Sequence, residues 1–222
     1  MVQSLLRTLC VPLVLLGAFG CKKSGADFEG EIALQIQRPN SSGSEMVFST
    51  SGGRVRLDSS VDGKHSHAIV RPGGKALLVM DEAQSWLEMD MQKAAAAMAT
   101  ADPNGAPGVR KTGEKETIAG RECEIWKIQH ANGKRTETCI TEGLAAFDFG
   151  ALLPGASLLR PPASTPEAAN EVRTKKMFPL RSIEFDPFGK ELSRMVVTRI
   201  EAKKIDDSKF EVPANYKKFE RP

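Results

Sequence analysis

The chain has 222 residues, 41% hydrophobic and 27% charged, and its 31 Lys and Arg against 28 Asp and Glu leave a formal charge of +3. That length builds one sizeable core, and a near-neutral balance without a clustered basic face excludes a nucleic-acid-binding class. No Gly-x-Ser-x-Gly elbow, Walker loop or dinucleotide fingerprint occurs, so no cofactor is expected and an enzyme is not the expected reading.

Residues 1–20, MVQSLLRTLCVPLVLLGAFG, carry one cation, Arg7, and an apolar run from Leu9 to Phe19. The run is short for a bilayer span and has the layout of an export signal peptide. Leu16 to Gly20 resemble a lipobox, with Ala18 where leucine is usual and Phe19 in the following place. The resemblance implies cleavage before Cys21, diacylation of that cysteine, and a polar tether over residues 21–27. Losing Arg7 with the signal lowers the net charge to about +2. The four cysteines then resolve themselves: Cys10 leaves with the signal, Cys21 takes the lipid, and Cys123 and Cys139 remain as one pair in an oxidising compartment.

From Phe28 the sequence alternates: Phe28, Gly30, Ile32, Leu34 and Ile36 against Glu29, Glu31, Ala33, Gln35 and Gln37. This period of two predicts a half-buried strand. Further short strands follow over Met46–Thr50, Arg54–Asp58, His65–Arg71, Lys75–Asp81 and Gln84–Met89, separated by Ser-Gly-Gly, Asp-Gly and Pro-Gly-Gly turn signals. Their spacing predicts an antiparallel meander. Asp90 then reads as the N-cap of a helix over Met91–Ala101, with Met91, Ala94, Ala95 and Met98 on one side. A Pro/Gly-rich loop, residues 102–108, ends it.

The most legible stretch is Thr112–Thr141. Cys123, Ile125 and Ile128 stand among charged residues, Asn132-Gly133 marks a turn, and Arg135–Thr141 is β-branched, so the segment reads as a hairpin. A two-residue Asn132-Gly133 loop would place Cys123 opposite Glu142 and send the two cysteines to different faces. Three loop residues, Ala131–Gly133, put both on one face along a diagonal; five, Gln129–Gly133, put them directly opposite. A longer or bulged loop and a Cys123–Cys139 disulfide are therefore expected.

Beyond the hairpin, Thr141 reads as the cap of a second short helix bearing Leu144, Phe147, Ala151 and Leu152, and residues 154–166 as an exposed loop or flap. A helical turn is expected within residues 167–176. Leu180–Phe185 and Leu192–Ile200 read as strands joined by an Asp186-Pro187-Phe188-Gly189 turn.

These pieces, with Phe28-Glu29-Gly30-Glu31-Ile32, Val55-Arg56-Leu57-Asp58, Thr112-Gly113, Ile118-Ala119-Gly120 before Cys123 and Trp126, Phe178-Pro179-Leu180, and the closing Phe210-Glu211-Val212-Pro213-Ala214-Asn215-Tyr216, resemble a bacterial envelope lipoprotein family catalogued as a domain of unknown function. The closing Phe-x-x-Pro element is also similar to that of Lol-type periplasmic lipoprotein carriers. That resemblance implies an incomplete antiparallel β-barrel wrapped round a helical plug, with an apolar cavity for acyl chains; it is an analogy of fold.

His65 and His67 share one face of a strand at a spacing zinc could use, but two imidazoles without a third ligand are weak evidence, and no metal site is assigned. Asp81-Glu82 and Asp206-Asp207 are adjacent carboxylates that point apart, which suits no acid/base pair. Methionine adapts to irregular apolar shapes, so Met80, Trp86, Met89, Met91 and Met98 are the candidate lining of a lipid groove, with ordinary core packing as the competing account.

The expected architecture is α+β: a single domain over residues 28–222 in which a curved antiparallel sheet, an incomplete β-barrel, has one or two helices packed on its concave face. The expected function is a non-enzymatic envelope lipoprotein, held to the membrane through Cys21, facing the periplasm and assigned to the outer membrane, that binds a lipid or acylated partner in an apolar groove. The helix at Met91–Ala101 or the loop at residues 154–166 would cover that groove. The alternative is an envelope protein-interaction module that binds no lipid, and the third reading a secreted metal-dependent hydrolase using His65 and His67. Peptide mass spectrometry of the membrane-extracted protein is expected to find diacylglyceryl on an N-terminal Cys21; an N-terminus elsewhere, or an unmodified Cys21, refutes the anchor.

Overall fold

The computed structural model describes residues 28–39, 41, 43–61, 64–91, 93, 108–144, 170–172 and 174–219. Twelve strands form one open sheet: β1 (Gly30–Gln37), β2 (Ser44–Ser51), β3 (Arg54–Val61), β4 (Lys64–Arg71), β5 (Lys75–Met80), β6 (Ser85–Asp90), β7 (Gly108–Ile118), β8 (Arg121–Gln129), β9 (Arg135–Thr141), β10 (Phe178–Phe185), β11 (Glu191–Ala202) and β12 (Lys217–Lys218). Their order is β12-β6-β5-β4-β3-β2-β1-β11-β10-β9-β8-β7, so two antiparallel runs meet where β1 pairs with β11. Every pairing is antiparallel except that of β12 with β6.

The predicted alternation holds in β1, where Ile32, Leu34 and Ile36 are buried while Gln35 and Gln37 are exposed. Gly30 opens the strand at φ +153°, and a Cβ there would collide with the carbonyl of Glu201 on β11, so only glycine allows the two backbones to approach. The main core joins Ile32, Leu34, Phe48, Leu57, Phe178 and Met195 with the disulfide. Phe48 of β2 and Phe178 of β10 meet edge to face with ring centroids 6.1 Å apart, although β1 and β11 lie between their strands. The sheet is therefore strongly curled.

The hairpin holds as expected. Ile125 faces Cys139, which leaves Cys123 on the diagonal, and Cys123–Cys139 is a disulfide with its Cα atoms 5.3 Å apart. The loop is the three-residue one: the His130 N–H donates to the Lys134 carbonyl at 2.9 Å, enclosing Ala131–Gly133, and Gly133 sits at φ +80°. A type I turn followed by a left-handed glycine is the usual build of such a loop.

The α+β expectation is overturned. Among the described residues the fold is nearly all sheet, with one complete 3-10 turn at Asp207–Phe210, and no helix packs on the concave face. The physical reason is the curl, which lets apolar side chains from distant strands bury one another. Thr141 belongs to β9, where its Oγ1 donates to the Glu122 carbonyl at 2.9 Å, so it caps no helix, and Leu144 is buried in the main core. Asp90 does cap, its Oδ1 accepting from the Lys93 N–H at 3.1 Å; the remainder of the helix expected over Met91–Ala101 lies outside the described residues, as does the loop at 154–166. One helical turn is present at Glu171, whose carbonyl accepts from the Lys175 N–H at 2.9 Å.

The opposite face of β3 to β6 is covered by the C-terminal segment. Ile69, Leu77 and Val79 alternate with the residues that enter the main core, and they pack with Ile205, Phe210, Trp86, Val212 and Tyr216. Phe210 is 2% exposed, a burial of about 1.5–3 kcal/mol. Polar contacts hold the same strap. Arg54 pairs with Asp207 and stacks 4.6 Å from the Phe210 ring, Arg56 donates to the Lys209 carbonyl at 3.1 Å, and Tyr216 donates to Asp81 at 3.0 Å. The Lys217 and Phe219 N–H groups then donate to the Gln84 and Trp86 carbonyls, adding β12 to the edge of β6.

Glu31 links strap to sheet. Its carboxylate lies 2.8 Å from Lys209 of the strap and 2.8 Å from Lys203, and its side chain is 10% exposed. Burial would raise its pKa, but the hydrogen bonds and charges of Lys203 and Lys209 outweigh that and hold it at about 2, down from 4.5.

Replacing both Cys123 and Cys139 by alanine is expected to cost about 2–4 kcal/mol in urea unfolding, since the bridge closes a loop of 16 residues. Because the folded pKa of Glu31 is the lower one, its contribution is present above pH 4.5 and is lost as pH falls from 4.5 towards 2. Glu31→Gln should therefore flatten the acid limb of stability across that window by on the order of 2 kcal/mol, less than full linkage because both lysines are partly solvated.

Candidate functional site

At the end of the sheet where β7 to β10 stand side by side, two turns pack together. The β8–β9 loop brings Gly133 within 3.2 Å of Pro187, measured from where a Cβ would lie, and Gly189 of the β10–β11 turn lies equally near the Arg135 guanidinium. The second turn is built by Asp186, whose Oδ1 accepts from the N–H groups of Phe188 at 2.9 Å and Lys190 at 2.8 Å. Asp186, Pro187 and Gly189 thus form the turn their sequence predicts.

Above these turns is an open cleft of about 720 Å³. Phe185 gives it an apolar side chain; Arg110, Lys127 and Arg135, on the same face, give it charge, while Val109 and Ile128 border it from strand positions that face the other way. Gly108 and Gly189 line it without side chains and leave it open. Pairing fixes the faces: Arg110 lies opposite Lys127, which lies opposite Glu137, while Gly108, Gln129, Arg135 and Phe185 form the next row on the same side. Side chains two apart along a strand share a face, so the three cations stand on one side of the sheet at this end. The Arg135 guanidinium sits 5.9 Å from the Phe185 ring.

The nearby carboxylates are already engaged. Glu137 is 3.0 Å from Arg181 and 4.0 Å from Lys127, and Arg181 also holds Glu116 at 2.6 Å. Arg110 and Arg135 have no carboxylate within 4 Å among the described residues, so the cleft carries a positive excess.

The residues singled out from the sequence are distributed differently. Met80 and Met89 share a face with Leu78 and Leu87, the main-core side, whereas Trp86 pairs with Val79 on the opposite face beneath the C-terminal strap. Met91 is half-buried just past β6, its N–H donating to the Gly74 carbonyl at 2.9 Å, and Met98 lies outside the described residues, as does Cys21. Trp86 is thereby separated by the sheet from Met80 and Met89, which share one face. His65 is exposed, whereas His67 is 4% exposed with Nδ1 3.1 Å from Asp81 Oδ2. Asp81 also accepts the Tyr216 hydroxyl, which raises the tyrosine pKa. His67 thus serves the strap, and no three His, Cys, Asp or Glu side chains converge as metal ligands among the described residues.

Arg110, Lys127 and Arg135 were not evident as a group in the sequence, because residues 108–118 do not alternate. The available signal was the parity of Lys127 and Arg135 in the hairpin, which puts both on the cysteine face once the three-residue loop is chosen.

Fold and cleft together define a curled single-sheet β-protein with a disulfide-stapled hairpin beside a cationic cleft. The chain belongs to the family described as domain of unknown function (DUF4412), whose model matches residues 28–216. No curated protein matches it. Similar solved structures include MucB in complex with MucA(peri), at 15% identity and a TM-score of 0.45, covering 85% of this chain and 55% of that one. MucB alone is 15% identical, at a TM-score of 0.45 and coverages of 85% and 58%. The MucA/MucB complex of Pseudomonas aeruginosa is 15% identical, at 0.45 and coverages of 84% and 56%. The chain spans less than two thirds of each of those chains.

Proposed function

We propose that the protein is a non-enzymatic lipoprotein of the bacterial envelope, exported by residues 1–20, anchored through Cys21 in the outer membrane and facing the periplasm, that binds a lipid or acylated partner. The observation that carries the ligand reading is the cleft at the β7–β10 end. Its volume of about 720 Å³ falls in the range that holds one small amphiphile, and the half-buried Phe185 gives it an apolar side chain beside charge. The concave face towards the middle of the sheet is filled instead by Ile32, Leu34, Phe48 and Phe178, each fully buried. The proposed ligand site is therefore the cleft at the hairpin end.

Native mass spectrometry of the full-length protein extracted from its own membrane tests this. Co-purified lipid or acylated molecule at one per chain, beyond the covalent anchor, is the expected result. Protein free of lipid but carrying a stoichiometric protein partner would replace this reading with the interaction module.

A further inference from the structure

We infer that the cleft selects an amphiphile with an anionic head group, bound by Arg110, Lys127 and Arg135; the inference rests on the ligand reading above and adds to it the chemistry of the ligand. Arg110 and Lys127 are directly opposed across β7 and β8. Like charges in that relation repel and destabilise a strand pair, and in a typical sheet one of them would be matched by a carboxylate. Here the matching position on β9 is Glu137, which lies 4.0 Å from Lys127 but is held more closely by Arg181 of β10, at 3.0 Å, so one carboxylate is shared between two cations and none is left for Arg110 among the described residues. Arg135, on the same face one row further, adds a third cation, its guanidinium 5.9 Å from the Phe185 ring and with no carboxylate within 4 Å among the described residues. The repulsion is relieved when an anion enters between the two rows. A phosphate or carboxylate suits it, because each guanidinium can offer two parallel N–H donors to such a group.

The surroundings fit a head group with a tail attached. Gly108 and Gly189 leave space where side chains would close the cleft, and Phe185 forms its apolar side. Phe188, next to Gly189 at the turn tip, is 96% exposed. An aromatic ring left in water, next in the chain to a residue that lines the cleft, is placed to meet an acyl chain that extends out of it. The occupant is therefore an anionic phospholipid or lysophospholipid, with its head between Arg110 and Arg135 and its chain towards Phe185 and Phe188.

Titration calorimetry of the full-length protein in non-ionic detergent separates the cases, using lysophosphatidylglycerol, lysophosphatidylcholine and inorganic phosphate as probes. The anionic lysolipid is expected to bind about tenfold or more tightly than the zwitterionic one, and the Arg110→Gln/Arg135→Gln double variant to lose about 10- to 100-fold for the anionic probe alone. Equal affinity for the two lysolipids overturns the head-group inference and leaves the ligand reading standing. Inorganic phosphate binding as tightly as the lysolipid overturns the tail. Failure of both lysolipids to bind the unaltered protein takes down the ligand reading itself. The comparison of probes on unaltered protein needs no variant, and circular dichroism with an intact Cys123–Cys139 bridge verifies the fold of the double variant.

Discussion

Phe48 and Phe178 touch edge to face across two intervening strands, and the rest of the molecule depends on the curvature this requires. In a flat sheet their strands would stand about 14 Å apart, at three interstrand spacings. Their ring centroids are 6.1 Å apart. A single layer of strands has no second layer to bury its apolar face, so it must bend until residues from its two halves meet. The bend has identifiable sources: register shifts lie between Ala33 and Leu34 in the β1–β11 pair, where the two antiparallel runs join, and between Glu184 and Phe185 and between Pro179 and Arg181 in the next two pairs, β10–β11 and β9–β10. Bulges of this kind add local twist and bend the strand that carries them. The disulfide belongs to the same cluster, so the β8–β9 hairpin is fixed to the curled centre and the cleft at its end is held by rigid elements.

Curling serves only one face. On β3 to β6 the other is covered by the segment from Ile205 to Phe219, and β1 is the strand that joins the two solutions. Ile32 and Leu34 point into the core while Glu31 points the other way, to Lys203 and Lys209. This gives a physical account of the closing Phe-x-x-Pro-x-x-Tyr pattern. Phe210 fills the convex cluster, and Tyr216 reaches the Asp81–His67 pair. From there the chain is delivered to the edge of β6. A pattern that resembled a ligand-carrier signature is, in this fold, a fastening.

Much of the sheet could be read directly, because half-buried strands leave a period of two. β1, β8 and β9 were evident for that reason, and even the alternatives for the hairpin loop followed from the need to bring Cys123 and Cys139 to one face. β7 was not evident, since an edge strand is solvated widely and Arg110, Lys111, Lys115 and Thr117 are all exposed. Without β7 there is nothing opposite Lys127, and the cleft vanishes from view. Trp86 shows the complementary error. Proximity along the chain grouped it with Met80 and Met89, but alternation sends it to the opposite face. The helices expected on the concave side were read from the Asp90 cap with its alanine-rich run and from Thr141 with the apolar residues after it, whereas curvature alone supplies much of the burial they were meant to provide.

The two margins of the sheet are unequal in length and alike in effect. At one, Lys217 and Lys218 lie parallel to β6 and occupy its hydrogen-bonding groups. At the other, the β7 ladder is interrupted between Lys111 and Lys115, Gly113 turns the backbone to φ +77°, and charged side chains line the strand. A layer of twelve strands with a free, regular border would act as a template on which further chains could crystallise their own strands. Two lysines at one border and a broken, charged rung at the other deny that growth, so many copies can crowd together without passing strand order from one to the next.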